Sequence, residues 1–132
     1  MTKPILCLDF DGVIHRYDSG WQDVEVISDP MTEGFWEWVE EAKKHFQIIV
    51  YSSRSKEDAG VVAMGIWLKQ QRDAWRAKGN RPPEDTPLEL SFTNQKPAAF
   101  LTIDDRALTF TGSWADFPPE RLREFRPWNK RS

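Results

Sequence analysis

Six residues of this 132-residue chain combine types and spacings suited to phosphoryl chemistry: Asp9 and Asp11, Ser52, Lys96, and the pair Asp104-Asp105. A carboxylate can attack phosphorus once the charge on the phosphoryl group has been neutralised, and Lys96 together with a divalent cation would supply that neutralisation. Four carboxylates in one cleft repel one another, which again calls for a bound cation. The chain has two His and one Cys, so the available ligands are oxygens, a set that favours Mg²⁺ over zinc. Mg²⁺ takes one or two carboxylates and leaves positions for phosphate oxygens, so the expected partner is a phosphorylated substrate. Asp11 stands two positions after Asp9 and therefore on the same side of an extended strand. From there it can give a proton to a leaving alcohol and later take one from water. Ser52 can donate a hydrogen bond to a phosphoryl oxygen. Ser53 and Arg54 adjoin it as further candidates for phosphate binding. A structural role competes for Ser53, and pairing with a surface acid competes evenly for Arg54.

These residues act together only if the fold brings them to one edge. Ile5 to Leu8 is a continuous apolar run, expected as a buried strand with Asp9 and Asp11 at its C-terminal end. Phe46 to Tyr51 is a second such strand and ends at Ser52-Ser53-Arg54; Leu88 to Thr93 is a third; Ala98 to Ile103 is a fourth and ends at Asp104-Asp105. Between them, Met31, Phe35, Trp38, Val39 and Ala42 follow helical spacing after Asp29-Pro30, and a longer helix is expected from Ser55 to Lys78, before Gly79-Asn80 and Pro82-Pro83. Strands alternating with helices predict an α/β fold: a Rossmann-like three-layer sandwich with a mostly parallel central sheet, in which ligands bind at the carboxyl ends of the strands. Residues 12–30, around Asp18-Ser19-Gly20, are expected as a small β-hairpin flap, and residues 116–132 as a tail with a short helix from Pro119 to Phe125 followed by loose coil.

The length suits a single domain over 1–132. A formal charge of −3 argues against a surface built wholly to grip polyanions. The lone Cys7 excludes an intramolecular disulfide framework and suits a reducing cytosol, and no stretch has the length of a membrane span or the apolar region of a signal peptide. A cytoplasmic protein without a membrane partner is expected. Cys7 is read as a core residue, His45 as a helix-end residue, and His15 as a polar flap residue close enough to the carboxylates to touch substrate. Trp21 is the best candidate for stacking on a base or sugar, against the simpler reading that it closes the flap. The long helix carries two apolar stripes, one of Ala59, Val62, Ala63 and Ile66 and one of Val61, Met64, Leu68 and Trp75, where a sheet needs only one; the excess is expected to be buried under the tail or to form a homodimer contact. The basic end from Glu120 to Ser132 could engage nucleic acid, although a solvated terminus is the default.

The segment Asp9-Phe10-Asp11-Gly12-Val13-Ile14 resembles the first motif of the haloacid dehalogenase (HAD) superfamily. Ile48-Ile49-Val50-Tyr51 ending in Ser52 is similar to its second motif, Lys96-Pro97 to its third, and Asp104-Asp105 to its fourth, all in family order. The resemblance implies a Rossmann-like sheet, Mg²⁺ dependence, Asp9 as nucleophile and Asp11 as acid and base. It implies that Ser52 and Lys96 bind phosphate. It also implies that Asp104 and Asp105 hold the metal with the Asp9 carboxylate and the Asp11 main-chain carbonyl. An aspartate at position 11 resembles the phosphotransferase branch and not the dehalogenases. The gaps between motifs leave no room for a folded cap, so the expected activity is that of a minimal, capless phosphatase acting on a small molecule or a nucleic-acid end. A signalling receiver domain gathers similar groups, but its phosphorylated Asp ends a middle strand, where this chain has Ser52-Ser53-Arg54. A non-catalytic binding or signalling module on the same fold is the remaining alternative.

Overall fold

The computed structural model describes residues 2–80 and 90–130. Its centre is a sheet of four parallel strands in the order β3-β2-β1-β4, with β1 at Ile5–Asp9, β2 at Gln47–Tyr51, β3 at Ser91–Thr93 and β4 at Leu101–Ile103. The expected α/β class and the parallel sheet are present. Leu88 and Glu89, at the expected start of β3, lie outside the described residues. In the register Leu6 faces Ile48 and Leu101, and Leu8 faces Val50 and Ile103, so alternate residues form one apolar face.

Two helices cover that face. α1 (Phe35–Ala42) buries Phe35, Trp36 and Val39, and α2 (Asp58–Ala77) buries Met64, Trp67 and Leu68, all in one cluster with Leu6, Leu8, Ile48 and Val50. The helices also touch each other: the Trp75 indole N–H donates to Glu37 at 2.7 Å, and the Trp36 and Trp75 rings lie 6.5 Å apart. Their shared side is a consequence of topology, because both right-handed crossovers step in the same direction, from β1 to β2 and on to β3. Helices on both faces are therefore not what α1 and α2 build. On the other side Cys7 is fully buried, while Ile5, Ile49 and Tyr51 are only half-buried.

Several local expectations shift for identifiable reasons. α1 begins at Phe35 and not Met31, because Met31 bridges to His15 and Thr32 bonds the loop after β1 through its N–H (to Ile14, 2.9 Å) and hydroxyl (to Val13, 2.7 Å). Gly34 then takes a positive φ of 84° just before the helix. The second helix is preceded by a separate 3₁₀ turn over Ser53–Lys56, divided from α2 by Glu57 in extended conformation. Residues 12–30 contain turns and isolated bridges, with no pair of strands, so the segment is an irregular loop and not a β-hairpin. A short helix, α3 (Pro119–Leu122), stops before Phe125. The tail beyond it is not loose coil where it reaches the loop after β1. The Trp128 indole N–H, the Asn129 amide and the Lys130 ammonium donate to the carbonyls of Gly12, Arg16 and Asp18, each at 2.6 Å. On α2, Val62 and Ile66 are more than half exposed, so the extra stripe is not covered by the tail. No helix among the described residues is long and apolar enough to cross a membrane.

Candidate active site

The carboxyl ends of β1 and β4 are neighbours, which brings Asp9 beside Asp104 and Asp105. One carboxylate oxygen from each of the three lies within 4.8 Å of the others. Asp9 is half-buried and its Oδ1 accepts the Phe10 N–H at 3.0 Å, whereas Asp104 is exposed and accepts the Arg106 N–H at 2.8 Å. The Asp105 side chain is almost wholly buried, with the Arg106 guanidinium 3.7 Å away. Gly12 (φ 88°) allows this closeness: a Cβ there would collide with the Asp105 carboxylate. Burial, followed by the neighbouring carboxyls of Asp105 and Asp104, pushes Asp9 from 3.8 up to about 8. Three oxygen donors that hold one another's charge at such cost fit a hard divalent cation such as Mg²⁺.

That shift has a consequence for stability. The folded, metal-free protein holds the Asp9 proton more tightly than the unfolded chain does, so its unfolding free energy falls as pH rises from about 4 to about 8. Protons and a cation compete for the same oxygens. Millimolar Mg²⁺ is therefore expected to raise the melting temperature more at about pH 8 than at about pH 5. A Mg²⁺ effect that is the same at both values would show that Asp9 is not among the groups it engages.

Asp11 stands outside this trio. Its Oδ1 meets His15 Nδ1 and its Oδ2 accepts from Arg54 Nε, both at 2.9 Å. His15 is 1% exposed and wedged between Phe10 and Trp67, and its Nε2 accepts the Asp29 N–H at 3.1 Å, so the ring proton sits on Nδ1 and points at Asp11. His15 is therefore a buried partner of Asp11 and not a polar flap residue, and its position four residues after Asp11, in a segment that must turn sharply at Gly12, is the signal for that pairing.

Ser52 directly follows β2 and is buried; its N–H donates to the Thr93 carbonyl at 2.9 Å, and its Oγ accepts the Arg54 N–H at 3.1 Å. The hydroxyl thus caps the 3₁₀ turn and keeps its proton to donate. Ser53 is exposed and opens the 3₁₀ turn. Arg54 does not face solvent or an open phosphate position. It is 0% exposed, and besides Asp11 its Nη1 donates to the Asp23 and Val24 carbonyls at 2.9 and 2.8 Å. Lys96, in the loop after β3, is exposed and makes no hydrogen bond or ion pair among the described residues. Burial raises the Cys7 thiol above its ordinary value, in keeping with an inert core position.

Gly60 shows how tightly this corner is built: a Cβ at that position would overlap the Arg54 carbonyl and press on Val24. Gly60→Ala is expected to cost about 2–4 kcal/mol in chemical denaturation, despite the better helix propensity of Ala. A neutral or stabilising effect would contradict the close approach of α2 to the Arg54 turn.

No family model matches the chain, and neither a curated protein nor a solved structure matches it.

Proposed function

We propose that the protein is a Mg²⁺-dependent phosphomonoester hydrolase of the HAD type that works through an aspartyl-phosphate. The observation that carries this reading is the convergence of Asp9, Asp104 and Asp105 at the carboxyl ends of adjacent parallel strands, with Asp11, two residues after Asp9, held by two donors of its own. Asp9, Asp104 and Asp105 would hold the cation, which when bound neutralises phosphoryl charge. Asp9 attacks phosphorus as the ester bond breaks, and Asp11 gives its proton to the departing oxygen. Each Asp11 oxygen keeps a second lone pair beyond the His15 or Arg54 bond, so the group can carry that proton. Asp11 then takes a proton from the water that cleaves the aspartyl-phosphate. The Ser52 hydroxyl donates to a phosphoryl oxygen, and Lys96, unpaired among the described residues, folds toward the phosphate as it binds.

The finer architecture belongs to the same proposal. A Rossmann-like third layer would cover the half-buried residues Ile5, Ile49 and Tyr51. A cytoplasmic setting accords with the single, buried Cys7. The absence of a cap-sized insertion suits a small phosphorylated molecule or a nucleic-acid end, and the exposed Val62 and Ile66 suit a homodimer contact.

The direct test is hydrolysis of an aryl phosphate by the purified chain. Turnover that needs Mg²⁺ and stops on chelation is expected. Failure to hydrolyse any phosphomonoester in a panel of nucleotides, sugar phosphates and 3′- and 5′-phosphorylated oligonucleotides would leave the binding-module reading.

A further inference from the structure

Arg54 is a fully buried cation whose contacts join parts of the chain that are distant in sequence. Its Nε reaches Asp11, its Nη1 bonds two successive carbonyls of the loop after β1, and its guanidinium lies 4.8 Å from the centre of the Trp21 ring. Its main chain is fixed independently, by the Ser52 hydroxyl on one side and by α2 at Gly60 on the other. The guanidinium is thus the joint between a rigid turn and two elements that depend on it, the Trp21–Val24 loop and the Asp11 carboxylate.

We propose that Arg54 is a positioning residue that couples docking of the Trp21–Val24 loop to the orientation of Asp11 for proton transfer; this rests on the phosphatase reading above. A buried guanidinium is strongly unfavourable unless its donors are engaged. Nη2 is buried with no hydrogen-bond partner among the described residues, and the Trp21 ring, with the guanidinium carbon over its face, offsets part of that cost. If the loop lifts away, the Asp23 and Val24 carbonyls and the ring leave together, water reaches the guanidinium, and its hold on Asp11 loosens. With the loop docked, Asp11 has one oxygen on Arg54 and the other on His15, whose own ring is fixed by the Asp29 N–H. In the first half-reaction the bond from an Asp9 oxygen to phosphorus forms, the ester P–O bond breaks, and the proton moves from the Asp11 carboxyl to the departing oxygen. In the second, water attacks phosphorus and passes a proton to the Asp11 carboxylate, and the bond to Asp9 breaks to release phosphate. Arg54 touches neither phosphorus nor the departing group; it sets where the Asp11 proton is delivered.

The experiment compares wild-type protein with Arg54→Lys and Trp21→Ala on two substrates. Lysine keeps the charge but lacks the planar fork that reaches Asp11 and both carbonyls at once. p-Nitrophenyl phosphate has a leaving group that departs with little protonation, whereas a simple alkyl phosphate requires the proton. In single-turnover measurements, which read the first half-reaction before the aspartyl-phosphate is cleaved, Arg54→Lys is expected to slow release of the alkyl alcohol by about 100-fold and of nitrophenol by less than about tenfold, with Trp21→Ala following the same pattern more weakly. Equal losses on both esters, or none, would overturn the proposal. Coupling is also reciprocal and visible without turnover. Asp11→Asn is expected to speed amide hydrogen exchange in residues 21–24 by about tenfold, and an unchanged exchange pattern would overturn the coupling. A wild-type protein inactive on both esters removes the phosphatase reading, while the exchange measurement still decides whether Asp11 and the loop are linked.

Discussion

Asp9→Asn is expected to abolish phosphate release, by about 10⁴-fold or more, and at the same time to stabilise the metal-free protein. The two effects have one origin. The Asp9 carboxylate is the group that would bond to phosphorus, and an amide of the same shape cannot replace it. That carboxylate is also held against Asp104 and Asp105, with burial and both neighbours opposing its ionisation. The amide removes the charge and leaves the packing, so a gain of about 1–3 kcal/mol is expected near pH 8, where the wild-type group must either ionise in place or hold a proton that bulk water would take. Turnover of an aryl phosphate and thermal melts in chelator, measured on one preparation, check both parts. Full activity in pure Asp9→Asn protein would exclude the nucleophile assignment, and a lower metal-free melting temperature would exclude the electrostatic one.

The same geometry separates what a sequence can disclose from what it cannot. Leu6, Leu8, Ile48 and Val50 are legible as strand residues because a parallel strand buried in a sheet needs an unbroken apolar run, and the polar residue after each run then falls at the carboxyl edge. That rule puts Asp9, Ser52 and the Asp104-Asp105 pair on one edge of the sheet, and the strand order then makes β1 and β4 neighbours and leaves Ser52 one strand away. Arg54 is not legible in this way. Its burial is produced by the Asp23 and Val24 carbonyls, 31 and 30 residues upstream, and by the Trp21 ring folding over it, and no periodic pattern encodes a single side chain meeting a distant loop. The burial of His15 is hidden for the same reason, since a histidine in a polar loop shows its role only when both ring nitrogens have partners. The tail is the extreme case: Trp128 reaches the Gly12 carbonyl across 116 positions, through one hydrogen bond that leaves no trace in local composition. The layering of α1 and α2 depends on strand order, which the apolar runs do not specify.

Asp11→Asn is expected to divide the reaction in two. With p-nitrophenyl phosphate, attack by Asp9 survives because the departing phenolate needs little help, but the water that should cleave the aspartyl-phosphate loses its base. The phosphorylated enzyme then accumulates, and intact-mass measurement after rapid acid quench should show one added phosphate, lost from the spectrum when Asp9 is also replaced. Steady-state turnover is expected to fall by about 10²–10⁴-fold, with a fast initial release of nitrophenol equal to the enzyme present. The substitution is less conservative here than its shape suggests. Both Asp11 oxygens receive N–H donors, from His15 and from Arg54, and an amide presents an NH₂ to one of them. His15 cannot relieve the clash by moving its proton, because Nε2 would then confront the Asp29 N–H. A stability loss of about 1–3 kcal/mol should therefore accompany the kinetic effect. An Asp11→Asn protein of wild-type stability would refute the donor pair, and one that turns over without accumulating a phosphorylated form would refute Asp11 as the base.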